Sequence, residues 1–317
     1  PARERFLDSG NALFDEDALL EYENHTFEPT RYRLVWHRNG VQRSPAMRGH
    51  LRVWEDVKAD GEYVIFVDTA TGKKADKRES IYASDREQGG RDFSCAYVYE
   101  VNARAYVAEY HSKEPPEVFA EKVFALGYLY SYPNRRTKGR LPALLGVERN
   151  HKSGETVVDL LKRWDYPNLF RDRTLNRRLN RMTPAVGWVS TEAKRQVMID
   201  DFSGLIREHA LGIFDADLVR ECFTFIRDDD GKAQAQEGCH DDRVIAAAGC
   251  IQMARHHYAP ALSSGRTLVR RGGPVGHLVG EEASDGRKDT GGPEANGIRR
   301  GEPGEPRGQR ASVGQAG

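Results

Sequence analysis

With 317 residues the chain has room for one large domain or two small ones, and Lys+Arg and Asp+Glu, 48 each, cancel to a formal net charge of +0. Net charge therefore argues neither for nor against a nucleic-acid partner, and any basic surface has to be local. The four cysteines, Cys95, Cys222, Cys239 and Cys250, form no CxxC pair and no metal-finger spacing, which fits reduced thiols; no apolar run approaches the roughly 18 residues needed to cross a membrane, and no signal peptide is visible.

In chain order, residues 1–60 read as a connector or edge subdomain. FLDSGNALFDEDALLEYE leads from a loop into a short helix, and RYRLVWHR and GHLRVWEDV are short strands. Residues 61–262 read as the core domain. GEYVIFVDTA is a strongly apolar strand. DFSCAYVYEV and RAYVAEYH pair as a hairpin turning at about Asn102–Ala103. PPEVFAEKVFALGYLYSY is a helix started by its prolines. LPALLGVERN is a buried parallel strand, GETVVDLLKRW a helix and PNLFRD a short strand. STEAKRQVMIDDFSGLIREHAL is a long helix opening with a capping box at Ser190 and Thr191, and DLVRECFTFIRDD runs from helix to strand. After GCHDDR, apolar residues at Val244, Ala248, Ile251 and Ala254 recur at helical spacing and predict a closing helix. The order implies an α/β fold, a mixed sheet with an antiparallel hairpin followed by βα crossovers. Residues 263–317, dominated by Gly, Pro, Arg and Glu, read as a disordered tail, too poor in apolar surface to offset its ordering entropy.

Carboxylates punctuate this pattern. Asp68 lies within VIFVDTA, where an acid needs a partner or a metal unless it simply ends the strand in a turn. Glu148 ends LLGVERN, at the sheet edge where sites gather in open α/β folds, or is an ordinary exposed exit residue. Asp241 and Asp242 sit at a helix start, where one Asp suffices as a cap. If the strands of Asp68 and Glu148 are neighbours and the closing helix packs over both, these acids converge, and a hard cation such as Mg²⁺ or Mn²⁺ would relieve their repulsion. Two such ions suit phosphodiester hydrolysis. His240 either orients a carboxylate or lies on the surface.

VDTATG with RDFS, GVERN followed by Gly154, GWVSTEAKRQVMIDDF, and the run from LVRECFTF to GCHDDRVIAAA, in that order over about residues 61–257, resemble the nuclease domain of the large terminase subunit of tailed bacteriophages and prophages. FLDSGNALFDEDAL resembles the segment that leaves the terminase ATPase domain. The resemblance implies an RNase H-like fold and a two-metal endonuclease, using Mg²⁺ or Mn²⁺, that cuts concatemeric viral double-stranded DNA during packaging. Asp68, Glu148 and Asp242 would be the metal-binding acids, with Asp241 an additional or alternative ligand and Asp92 a structural neighbour. Portal protein and small terminase subunit become expected partners, and the implied location is the cytoplasm of an infected or lysogenic host and, transiently, the procapsid.

Two features depart from that pattern. No G-x-x-x-x-G-K-[ST] motif is present, so ATP-driven translocation is not claimed, and a start at Pro1 fits a piece of a longer protein. The loop KKADKRESIYASDREQGG is long and charged, either a flap near the site or a solvated loop. For DNA contacts the densest basic core stretches are RRTKGR and RDRTLNRRLNR: Arg135, Arg136, Lys138, Arg171, Arg173, Arg177, Arg178 and Arg181 would track phosphates, and Lys194 would approach the scissile one or lie exposed on its helix. No base-reading pattern is evident. Alternatives are another RNase H-like nuclease of the junction-resolvase type, or an inactive prophage remnant that only binds partners.

Overall fold

The computed structural model describes residues 12–262 except 39, 71–92, 135–136, 177–179 and 229–230. The charged loop at 73–90, Asp92, Arg135, Arg136, Arg177, Arg178 and the tail from 263 lie outside the described residues.

Seven strands form the main sheet: β1 (Thr30–His37), β2 (Gly40–Pro45), β3 (Leu51–Val53), β4 (Tyr63–Asp68), β5 (Ser94–Glu100), β6 (Ala105–Ser112) and β9 (Leu144–Val147). Their order is β2-β1-β3-β6-β5-β4-β9. β4, β5 and β6 make an antiparallel meander, and β9 joins β4 in parallel, with Val67 opposite Val147. A parallel neighbour needs a crossover, supplied here by the helix α2 (Pro116–Leu129) and the short ribbon of β7 (Tyr132–Pro133) and β8 (Arg140–Leu141). This is the α/β mixed sheet, antiparallel strands plus a parallel one flanked by helices, expected from the sequence. Residues 30–53, expected as a connector or edge subdomain with short strands, supply the three strands on the β2 side.

Side chains alternate across the strands, so the sheet has two buried faces. One carries Tyr63, Ile65, Val67, Val98, Leu145 and Val147 against α2 and α3 (Lys152–Arg163). The other carries Val64, Phe66, Tyr97, Tyr106 and Leu144 against α1 (Glu16–Glu23), α4 (Glu192–Arg207), α5 (Ala216–Phe223) and α6 (Asp242–Leu262). That double cover explains why β4, β5 and β9 read as continuous apolar runs. Val244, Ala248, Ile251 and Ala254 are all buried, as their spacing predicts.

Two readings change in detail. RDRTLNRRLNR, which the expected short strand PNLFRD overlaps only at Arg171 and Asp172, contains β10 (Arg171–Asn176), which pairs with β11 (Arg181–Val186) in a hairpin beside β9. The N-cap of α4 is Thr191, whose side chain accepts from the Lys194 N–H. The third helical position is thus Lys194 rather than an acid, so a single cap stands where a capping box was expected. The remaining strands, β12 (Phe225–Arg227) and β13 (Ala233–Ala235), form a small ribbon.

Candidate active site

Asp68 is the last residue of β4, and Glu148 follows β9 directly; the Glu148 N–H donates to the Val67 carbonyl at 2.9 Å. Strand alternation decides where both acids point. Val67 and Val147 face α2 and α3, so the next residue on each strand, Asp68 and Glu148, faces the opposite layer, where α6 lies.

α6 comes close because small residues let it. A Cβ added at Gly146 would meet Met253 Sδ at 2.0 Å, and one at Gly249 would meet the Phe66 ring at 2.4 Å. Ala246, Ala247 and Ala248 are fully buried beside them. The first residue of this close-packed helix is Asp242. Strand register and helix approach thereby bring Asp68, Glu148 and Asp242 to one end of the sheet, the convergence the sequence led one to expect.

The electrostatics report the same proximity. Burial, followed by the charges of Glu148, Asp242 and Asp241 and a side-chain hydrogen bond with Glu148, holds the Asp68 carboxyl well above its ordinary value. Glu148 and Asp242 are buried. Asn150 Nδ2 donates to Glu148 Oε1 at 2.9 Å, and Asn150 Oδ1 accepts the Ser190 N–H at 3.0 Å. The last two letters of GVERN therefore do separate work: the Arg149 N–H bonds the Trp188 carbonyl at 2.8 Å, and Asn150 orients the carboxylate.

The two adjacent aspartates are not equivalent. Asp241 is partly exposed and ion-paired with Arg195 at 2.6 Å, whereas Asp242 is buried, with His240 Nδ1 at 3.8 Å. Lys194 reaches Asp172 at 2.5 Å and lies over the Trp188 ring at 5.0 Å. Lys138 and Arg173 are exposed.

Arg243 was not singled out from the sequence, although it adjoins the acids. Its backbone N–H and Nη1 donate to Glu221 of α5, each at 2.9 Å, and its Nε lies 2.7 Å from Glu109 of β6. Arg52 of β3 joins the same buried group through Glu109 at 2.7 Å and Asp215 at 2.6 Å. The first turn of α6 is thereby clamped to α5 and β6, and through their shared carboxylates to β3. An arginine beside paired acids was the available signal; its partners lie far away in sequence and were not legible.

Four carboxylates, one of them offset by Arg195, make a hard, anionic donor set that matches Mg²⁺ or Mn²⁺ in charge and chemistry. Among the described residues, no three His, Cys, Asp or Glu side chains stand close enough together to hold an ion as they are placed.

No family model matches the chain, and no curated protein matches it. Similar solved structures include the large terminase nuclease from thermophilic phage G20c with bound magnesium, 14% identical with TM-score 0.47, covering 76% of this chain and 97% of that one. The same nuclease with bound cobalt is 15% identical with TM-score 0.45, covering 76% and 97%. The large terminase nuclease domain of Thermus phage P74-26 is 16% identical with TM-score 0.43, covering 75% and 93%.

Proposed function

We propose that the chain is a metal-dependent endodeoxyribonuclease of the large-terminase type, cutting concatemeric viral double-stranded DNA during genome packaging. The observation that carries the reading is the trio Asp68, Glu148 and Asp242, the first half-buried and the other two buried, delivered by two neighbouring strand ends and one helix start, with the Asp68 carboxyl raised by desolvation and then by the like charges beside it. A protein does not bury clustered acids without compensation, and a divalent cation is the fitting one.

Asp68, Glu148 and Asp242 would hold two Mg²⁺ or Mn²⁺ ions, with Asp241 turned aside by Arg195. Such ions supply an activated water and charge neutralisation at the leaving oxygen. Asn150 keeps Glu148 oriented, and Arg243 fixes the helix start that presents Asp242. Arg173 on β10 and Lys138, both exposed, are placed in this reading as phosphate contacts, together with Arg135, Arg136, Arg177 and Arg178. Lys194 is held by Asp172 and would reach DNA only by exchanging that partner. Portal protein and small terminase subunit are the partners this role brings, and the host cytoplasm and procapsid its location.

Supercoiled-plasmid cleavage by the whole chain, with Mn²⁺, with Mg²⁺ and with EDTA, tests the reading beside Asp68→Asn and Asp242→Asn. Metal-dependent cutting abolished in both variants is the expected result. An inactive wild type with either ion, or variants that cut as well as wild type, would overturn it.

A further inference from the structure

Residues 31–54 contain six arginines and two histidines and no Asp or Glu, in a chain whose net charge is +0. Two of the arginines have structural work. Arg52 is buried among Glu109, Asp215 and Asp217, and Arg43 pairs with Asp56 and lies over the Tyr32 ring. The other four, Arg31, Arg33, Arg38 and Arg48, are exposed, and none makes an ion pair with a described residue.

Their placement follows from the strand period. Leu34 of β1 is buried and faces α2, with Tyr32 packed beside it. Arg31, Arg33 and His37 therefore point to the other side, where exposed Ser44 sits opposite Arg33 and Gly40 opposite His37. α6 packs on β4 and β5, leaving this margin of the sheet polar and cationic. Arg48 stands in the turn between β2 and β3. That turn is pinned by the Ala46 N–H to the Arg31 carbonyl at 3.0 Å and the Gly49 N–H to the Ala46 carbonyl at 2.8 Å. A Cβ at Gly49 would lie 2.2 Å from the Tyr32 carbonyl oxygen, so the turn sits tightly on β1.

This turn shares a sheet end with the carboxylates. Asp68 is opposite Cys95, Cys95 is opposite His111, and the His111 N–H bonds the His50 carbonyl at 3.3 Å. At about 4.8 Å between neighbouring strands, β3 lies about 14 Å and β2 about 24 Å from β4 along that end. The basic β10–β11 hairpin lies beyond β9, at the opposite margin. The acids thus stand between two cationic margins, separated by a span comparable to one helical turn of duplex, about 34 Å.

We propose that Arg31, Arg33 and Arg48 form a second duplex-DNA contact surface, gripping the backbone on the β2 side of the cleavage site. This rests on the nuclease reading and extends its substrate footprint to one the acids do not touch. Exposed guanidinium groups with no anionic partner among the described residues, arrayed beside a site for a polyanion, are matched by phosphates.

The test is fluorescence anisotropy of the whole chain with a short duplex, in EDTA throughout, over a series of salt concentrations. Wild type and the combined variant Arg31→Gln, Arg33→Gln, Arg48→Gln are compared, with thermal unfolding as the folding control. The combined variant is expected to unfold at the wild-type midpoint, to bind about tenfold or more weakly near 0.1 M salt, and to show a salt slope shallower by about three. Unchanged affinity and slope in the combined variant overturn the second surface and leave the nuclease reading standing. Absence of duplex binding by wild type sinks both. Retained DNA binding with lost binding to polyglutamate would assign the surface to an acidic protein and overturns it as well.

Discussion

At the scale of single residues, Asp68 opposes folding at neutral pH until something neutralises it. The Asp68 carboxyl is raised, so the stability it contributes is full below its ordinary 3.8 and is lost as pH rises. At neutral pH without metal, Asp68→Asn should therefore raise the unfolding midpoint by roughly 2–6 °C. Mn²⁺ should raise the midpoint of wild type and leave the variant unmoved; the reverse pattern would contradict a cation site. Cleavage should fall about 100-fold or more in Asp68→Asn, and about 10–100-fold in Asn150→Ala, which leaves Glu148 without its donor. His111 has the opposite sign. Burial, aided by Arg243 and Arg52, pushes its imidazole well below 6.5. Its share of stability is full above 6.5 and is lost as pH falls, because the unfolded chain takes up the proton first. Calorimetry across the acid range should show His111→Gln losing less stability than wild type on acidification.

At the scale of elements, close approach and charge clamps set the site. A Cβ at Gly154 on α3 would fall 1.9 Å from the Glu148 carbonyl oxygen, so Gly154→Ala should cost about 1–3 kcal/mol by denaturant unfolding and weaken cleavage by shifting Glu148. Arg243→Ala would strip the buried Glu221 of its cation and leave the buried Glu109 with Arg52 alone, and should cost about 3–5 kcal/mol. The elements themselves were largely legible: β4, β5, β6, β9, α2 and α6 follow from apolar runs and 3.6-residue spacing, because backbone period writes itself into hydrophobicity. The β10–β11 hairpin was not, because its Arg-rich strands carry no apolar alternation for the period to show. The Arg243 clamp was hidden for another reason: its partners Glu109 and Glu221 lie in other elements, and sequence spacing says nothing about them.

At the scale of the whole molecule, β1, β2 and β3 continue the sheet through β6, with Leu51 opposite Tyr110 and Val53 opposite Ala108. A protein starting at residue 61 would bare the edge of β6 and leave Glu109 and Asp215 without Arg52. It should be aggregation-prone, whereas residues 12–262 should unfold cooperatively; solubility and urea unfolding of the two pieces decide the matter.

By itself the sequence determined the strands and helices of the core and the identity of the acids. Both are local: a strand two residues in period and a helix of 3.6 mark their buried faces, and a carboxylate in an apolar strand stands out at once. Only the tertiary structure decided which acid is sheltered and which is paired with Arg195, what clamps the start of α6, and that of six arginines at 31–54 one enters a buried ion network, one pairs with Asp56 and four stay exposed. Those outcomes depend on which strands become neighbours, and pairing between strands far apart in the chain is set by packing of the whole sheet rather than by any window of residues.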